Sequence, residues 1–175
     1  MQGRLVADCT TAMALERGDP APDFRLPALD GRSYSLGEAL QKGPVLLVFF
    51  KTGCPACDLA FPYLVRLAEL YGERGLQTLA VSQHPAAKSG PYAERFRLPF
   101  PVLLDADGFQ ASRQYDPPAT PTLVLVGRDG RVLHHSHGFS KDDLNELAGL
   151  VAREVGVEPA LVAPADDGRP PFRPG

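Results

Sequence analysis

Two cysteines separated by two residues, Cys54-Pro55-Ala56-Cys57, follow an apolar run that ends Phe49-Phe50-Lys51-Thr52-Gly53. A buried strand that runs into a tight turn and then opens a helix puts the first cysteine at the helix N-terminus. Unpaired backbone N–H groups and the positive end of the helix dipole favour an anion there. The thiolate is the nucleophilic form of cysteine, so Cys54 is the candidate attacking sulfur. Cys57 comes one helical turn later, on the same side and deeper, close enough to resolve a mixed disulfide by intramolecular attack. Pro55 stiffens the turn and sacrifices no useful donor at the start of a helix. Ala56 completes the motif. Lys51 would add a positive charge favouring a nearby thiolate, although a lysine is ordinarily solvated. A half zinc site is the other use of such a pair. Zinc takes about four ligands, and the chain holds no second pair.

The rest of the composition narrows the classes. The chain has 175 residues, 44% of them hydrophobic, with a net charge of −3. That suits one soluble domain with a buried core. Lys and Arg form no basic block, so a nucleic-acid partner is unsupported. The longest apolar run, Val45 to Phe50, falls well short of the roughly 20 residues needed to span a bilayer. Residues 1–17 show no clear period and read as a loose arm. Asp8 and Cys9-Thr10-Thr11 interrupt any apolar core of an export signal. The chain therefore reads as cytoplasmic, though a protein trimmed of its leader would read the same. Three cysteines are too few for a disulfide-stapled scaffold. Cys9, the odd one, is an incidental thiol on the arm.

The elements that must position the pair follow from periodicity. Phe24 to Leu26 alternates like a short strand, Asp30-Gly31 signals a turn, and Ser33 to Ser35 returns. Ser35 can cap a short helix through Leu40, with Glu38 placed as in a capping box. Pro44 to Phe50 reads as a central strand buried on both faces. From Ala56 to about Tyr71 apolar residues recur at helical spacing. The internal Pro62 predicts a kink, and Gly72 and Gly75 end the helix. Leu76–Ser82 reads as a strand, Pro91–Leu98 as a helix with Pro near its start, Phe100–Leu104 as a strand and Phe109–Tyr115 as a short helix. Thr122–Val126 and Val132–His137 flank the Asp129-Gly130 turn. Ser140 caps a final amphipathic helix from Lys141 to Val155. The segment from Glu158 to Gly175 is rich in proline with little to bury, and is expected to be disordered or extended. The pattern implies an α/β fold with a mixed sheet covered on both faces.

At this point the chain from about Gly18 to Val155 resembles the thioredoxin-like superfamily, in its redoxin and TlpA/ResA-like branch. The resemblance rests on Gly18-Asp19-Pro20-Ala21-Pro22-Asp23-Phe24, Cys54-Pro55-Ala56-Cys57, Pro62, Thr120-Pro121-Thr122-Leu123, the Asp129-Gly130 hairpin and the closing helix. It implies a thioredoxin-like fold with an N-terminal β-hairpin extension spanning residues 18–157. It also implies that Pro121 is the cis-proline facing the Cys54–Cys57 pair, with the Thr120 backbone turned toward a bound substrate chain. Pro117 and Pro118 are nearby competitors for that role. Two departures stand out. Gly53 occupies the place where most relatives have Trp. Val48 stands where thioredoxins proper carry a buried Asp that takes a proton from the deeper thiol, leaving Glu69, Asp105 or water for that task.

The reading is therefore of a thiol–disulfide oxidoreductase that exchanges electrons with protein or small-molecule disulfides through a Cys54–Cys57 disulfide. A separate electron donor resets it, no bound cofactor or metal is implied, and the protein is read as a monomer. A peroxiredoxin-like peroxidase is the first rival. Its Pro-x-x-x-Thr/Ser-x-x-Cys signature, aligned on Cys54, meets Leu47 and Lys51 and fails at both. A copper-binding module is the second, suggested by His134, His135 and His137. A metal site needs more converging ligands, and exposed strand histidines are the simpler account. His84, before Pro85, reads as a loop residue.

Overall fold

The computed structural model describes residues 14–175. The elements that matter are β1 (Arg25–Pro27), β2 (Ser33–Ser35), α1 (Leu36–Leu40), β3 (Val45–Phe50), α2 (Pro55–Tyr71), β4 (Gln77–Ser82), α3 (Ala86–Phe96), β5 (Val102–Leu104), α4 (Gln110–Tyr115), β6 (Thr122–Val126), β7 (Val132–His137), β8 (Phe139–Ser140), α5 (Lys141–Val155) and β9 (Phe172–Arg173). Five strands form one mixed sheet in the order β5-β4-β3-β6-β7. β3 runs parallel to β4 and antiparallel to β6. β1 and β2 form the separate N-terminal hairpin, tied to the sheet by a bridge from Ala28 to Leu103. This is a thioredoxin-like fold with a hairpin extension.

The continuous apolar run of β3 has its explanation in two cores. Leu46, Val48 and Phe50 join α2, α3 and α5 on one face. Val45, Leu47 and Phe49 join the hairpin, α1 and α4 on the other. All six are fully buried, and each such side chain contributes roughly 1.5–3 kcal/mol. The strand that delivers the cysteine loop is thus held from both sides. Ser35 and Ser140 cap α1 and α5 by accepting from the N–H groups of Glu38 and Asp143, both at 3.2 Å, as their spacing predicted.

α3 departs from expectation. It starts at Ala86 rather than Pro91, and Pro91 lies inside it. Pro85, in extended conformation, is the N-cap, so the helix begins five residues ahead of Pro91. An interior proline loses a hydrogen bond and crowds the preceding turn, at about 3 kcal/mol. The neighbouring Tyr92 and Phe96 offset this by packing with Phe50 and Phe61, with ring centroids 4.8–5.8 Å apart. β5 also starts late, at Val102, because Pro101 has no N–H for a ladder.

The larger correction concerns Glu158 to Gly175, expected to be disordered or extended. The segment is docked along α2 and α5. Val162 and Ala163 are buried, and Asn145 Oδ1 accepts from both of their N–H groups, at 3.1 and 2.9 Å. The Lys141 ammonium is buried and donates to the carbonyls of Pro164 and Arg169 at 2.9 Å and to Asp167 Oδ1 at 2.5 Å. The Tyr63 hydroxyl donates to Asp167 as well, and the Arg169 guanidinium lies 5.3 Å from the Tyr63 ring centroid. β9 then pairs antiparallel with β8. Composition alone shows little apolar area to bury. What holds the segment is a set of polar partners supplied by α5, which precedes it, and by the distant α2. The loose-arm expectation for residues 1–17 falls mostly outside the described residues; at its edge Leu15 packs against the α1–α4 core.

The hydrogen bonds from Lys141 and Tyr63 hold the Asp167 carboxyl well below its ordinary value of 3.8. A carboxyl depressed by folding adds stability above its unfolded value, and the contribution is lost as pH falls below it. The protection factors of amides in residues 158–175, which divide out the intrinsic pH dependence of exchange, are therefore expected to be high at neutral pH and to fall on acidification below 3.8. Asp167→Asn should show fast exchange already at neutral pH. Unchanged protection in that variant would discount the anchor.

Candidate active site

The site is built where β3 ends. Gly53 adopts φ +76°, and a Cβ there would meet nothing within 4 Å. Glycine is needed for the turn of the backbone rather than for space. The turn delivers Cys54, in extended conformation, as the N-cap of α2, with Pro55 as the first helical residue. Cys54 Sγ accepts from the Cys57 N–H at 3.2 Å. Thiol sulfur is a weak acceptor for this task; a thiolate is a charged one at the positive end of the dipole. The Cys54 carbonyl accepts from the Asp58 N–H at 3.0 Å, closing the first helical turn.

From across the sheet comes the loop preceding β6. The Thr120–Pro121 peptide is cis. The Thr120 hydroxyl donates to Cys54 Sγ at 3.4 Å, and the Cys54 thiol donates to the Thr120 carbonyl at 3.3 Å. The structure thus brings Cys54, Cys57, Thr120 and Pro121 together, with Pro55 and Ala56 between the cysteines. Both cysteines are free thiols. Cys54 is 9% exposed and Cys57 not at all.

Burial pushes the Cys57 thiol far up from its ordinary value, and the hydrogen bond and charge of Cys54 push the same way. The Lys51 backbone N–H and the Thr120 hydroxyl oppose this, since both stabilise a Cys57 thiolate. Lys51 therefore contributes through its main chain, while its side chain is exposed. Val48 is buried toward α2, so β3 offers no carboxylate beneath Cys57. Asp105 is fully buried, but its oxygens accept from Ala111 N, Ser112 N and Ser112 Oγ at 3.1, 2.8 and 2.6 Å. It caps α4. Glu69 is exposed and lines a groove with Glu38 and Lys42 of the α1 region. Neither is brought to the sulfurs.

Two contacts next to the motif escaped the sequence. The Tyr92 hydroxyl donates to Asp58 Oδ1 at 2.9 Å, and Arg95 donates to Asp58 Oδ2 at 3.3 Å. They fasten α3 to the first turn of α2. His84 Nδ1 lies 2.7 Å from Thr52 Oγ1 and accepts from the Thr52 N–H at 3.3 Å. The parallel register pairs Phe50 with Ser82, so the second residue beyond each strand, Thr52 and His84, must also be neighbours. Pairing the two predicted strands would have revealed it.

The β7 histidines sit two strands from β3. His134 is buried, contrary to the expectation of an exposed residue, with Nε2 2.9 Å from Ser136 Oγ. His137 is exposed. Among the described residues no three His, Cys, Asp or Glu side chains converge as a metal site would require.

Burial first, then the charges of Lys88 and Lys51, lower the His84 pKa below its ordinary 6.5. The unfolded chain thus takes up this proton at higher pH than the folded one, and stability falls as pH drops below 6.5. His84→Ala removes the acceptor for Thr52 and should cost about 1 kcal/mol, whereas Asn keeps an acceptor that does not titrate. In thermal unfolding, His84→Asn should lose less stability than the natural chain between neutral and mildly acidic pH. Parallel curves would discount the contact.

Residues 16–151 match the Redoxin family. The chain is 34% identical over 139 residues to thiol-disulfide oxidoreductase ResA of Geobacillus thermodenitrificans, covering 78% of this chain and 79% of the relative. A structure described as a thiol:disulfide interchange protein DsbE, from Chlorobium tepidum, superposes with a TM-score of 0.75 at 29% identity, covering 82% of this chain and 100% of that one. Peroxidoxin BcpB of Mycobacterium tuberculosis superposes with a TM-score of 0.68 at 26% identity, covering 79% of this chain and 97% of that one. No described helix is long and apolar enough to cross a membrane. With its sheet order and its pair of cysteines at the mouth of α2, the chain belongs to the Redoxin family and is a thiol–disulfide oxidoreductase of the thioredoxin-like kind.

Proposed function

We propose that Cys54 and Cys57 exchange electrons with disulfides of proteins or small molecules in a dithiol–disulfide cycle. The observation that carries this is the asymmetry of the two sulfurs. Cys54 receives the helix N–H of Cys57 and the Thr120 hydroxyl, while Cys57 is fully buried and held as a thiol. The Cys54 thiolate attacks one sulfur of the substrate disulfide. A Cys54–substrate disulfide forms, and the other substrate sulfur leaves as a thiolate that takes a proton from solvent.

The second step follows from the same electrostatics. Negative charge on Cys54 disfavours ionisation of Cys57. The mixed disulfide removes that charge, and the Lys51 N–H and Thr120 hydroxyl remain to favour the Cys57 thiolate. Cys57 then gives its proton to solvent water and attacks Cys54 Sγ. The substrate's second sulfur leaves as a thiolate, and the Cys54–Cys57 disulfide forms. Two electrons have passed to the substrate, and a separate dithiol donor returns them. The sulfurs carry the electrons, so the cycle calls for no bound cofactor.

Cys54→Ser should abolish reduction of insulin disulfides, whereas Cys57→Ser should accumulate mixed disulfides that are visible as mass adducts. Iodoacetamide should alkylate Cys54 well before the inaccessible Cys57. Insulin reduction that survives Cys54→Ser would overturn the assignment.

The likeness to a peroxidoxin makes peroxide the relevant counter-substrate. Leu47 is buried on the face away from α2 and Lys51 is exposed. Neither supplies the hydroxyl that the peroxidase signature uses. Hydrogen peroxide consumption driven by a thiol donor should be slow beside insulin reduction; the reverse order would favour the peroxidase reading.

A further inference from the structure

The docked segment of residues 158–175 reaches the redox centre. Antiparallel pairing matches Phe139 with Arg173 and Ser140 with Phe172, and the Lys141 N–H donates to the Pro171 carbonyl at 2.9 Å. Beyond Arg173 the backbone runs against Gly138. A methyl group built there would lie 3.1 Å from the Arg173 carbonyl oxygen and 3.2 Å from the Gly175 nitrogen. Gly138 in turn donates its N–H to the Pro121 carbonyl at 2.8 Å. At Gly175 a side chain would collide with the Thr120 carbonyl oxygen and lie 2.9 Å from Ala119 Cβ. That carbonyl is the one that accepts the Cys54 thiol. Thr120 and Pro121 are buried, although their loop is where a substrate backbone would pair.

We infer that residues 170–175 form a resident strand lying on the backbone edge beside Thr120, which polypeptide substrates must displace and small disulfides need not. The inference rests on the dithiol reading of Cys54. An extended protein segment gains affinity by main-chain pairing at such an edge, and the resident strand competes for it. A small disulfide needs only a path to one sulfur. The strand thereby determines specificity: it lowers turnover of protein disulfides relative to small ones. It is also placed to be released without harm to the core, because Phe172 and Arg173 are exposed.

The test compares the natural chain with a full-length Phe172→Pro, Arg173→Pro double variant, in which residues 170–174 have no N–H to pair. Two substrates are used, insulin and a small aromatic disulfide, with dithiothreitol as donor. Where a site is open only a tenth of the time, release raises apparent affinity about tenfold. The kcat/KM for insulin should therefore rise about tenfold while that for the aromatic disulfide stays the same. A synthetic peptide of residues 168–175 added to the variant should return insulin turnover toward the natural value. Insulin turnover unchanged or lowered, or both substrates accelerated alike, overturns the inference and leaves the dithiol reading standing. Cys54→Ser in the double variant separates the two, because insulin reduction surviving there refutes the dithiol reading itself.

Discussion

The hydrogen bond from the Cys57 N–H to Cys54 Sγ joins the start of a helix to the chemistry of a sulfur. A helix N-terminus leaves backbone donors without partners. In α1 and α5 a serine hydroxyl supplies the acceptor; in α2 the acceptor is the cysteine itself. Folding of α2 and stabilisation of an anionic sulfur are therefore one interaction. Gly53, β3 and the Thr120 loop all serve to present Cys54 at that point.

The second sulfur is governed by the opposite physics. Cys57 sits in the α2-side core with Val48 and Phe50, and its burial opposes ionisation. Neither Glu69 nor Asp105 replaces the carboxylate that thioredoxins proper place at the position of Val48. Two donors, the Lys51 N–H and the Thr120 hydroxyl, remain to stabilise the Cys57 anion once Cys54 has lost its charge to a mixed disulfide. In the proposed cycle the order of the two attacks follows from position in the fold: one sulfur at a polar helix mouth, the other beneath it in an apolar layer.

The inferred specificity traces to contacts made by α2 and α5. Lys141, Tyr63 and Asn145 hold the C-terminal segment through hydrogen bonds spanning 17 to 104 residues. Their joint effect is to lead the chain back to Thr120. A buried ammonium is tolerated only with full partnership, and Lys141 has it, with two carbonyls and a carboxylate. The same partnership that satisfies the charge docks the strand.

The cysteine spacing, the uniformly apolar β3 and the serine caps each carry a local signal, so the order of the main elements, the mixed sheet and two neighbouring cysteines at a helix start were legible from the residues alone. Such signals depend on residues within a turn or a strand of one another. The remaining contacts join residues that meet without local cause. Thr52 meets His84 through strand register, Asp58 meets Tyr92 through helix packing, and Asp105 faces α4 instead of Cys57. The polar partners of the C-terminal segment come from α2 and α5, so a composition that promised disorder became a docked strand. Hydrophobic periodicity records which face of an element is buried; it does not record which polar group waits on the other side.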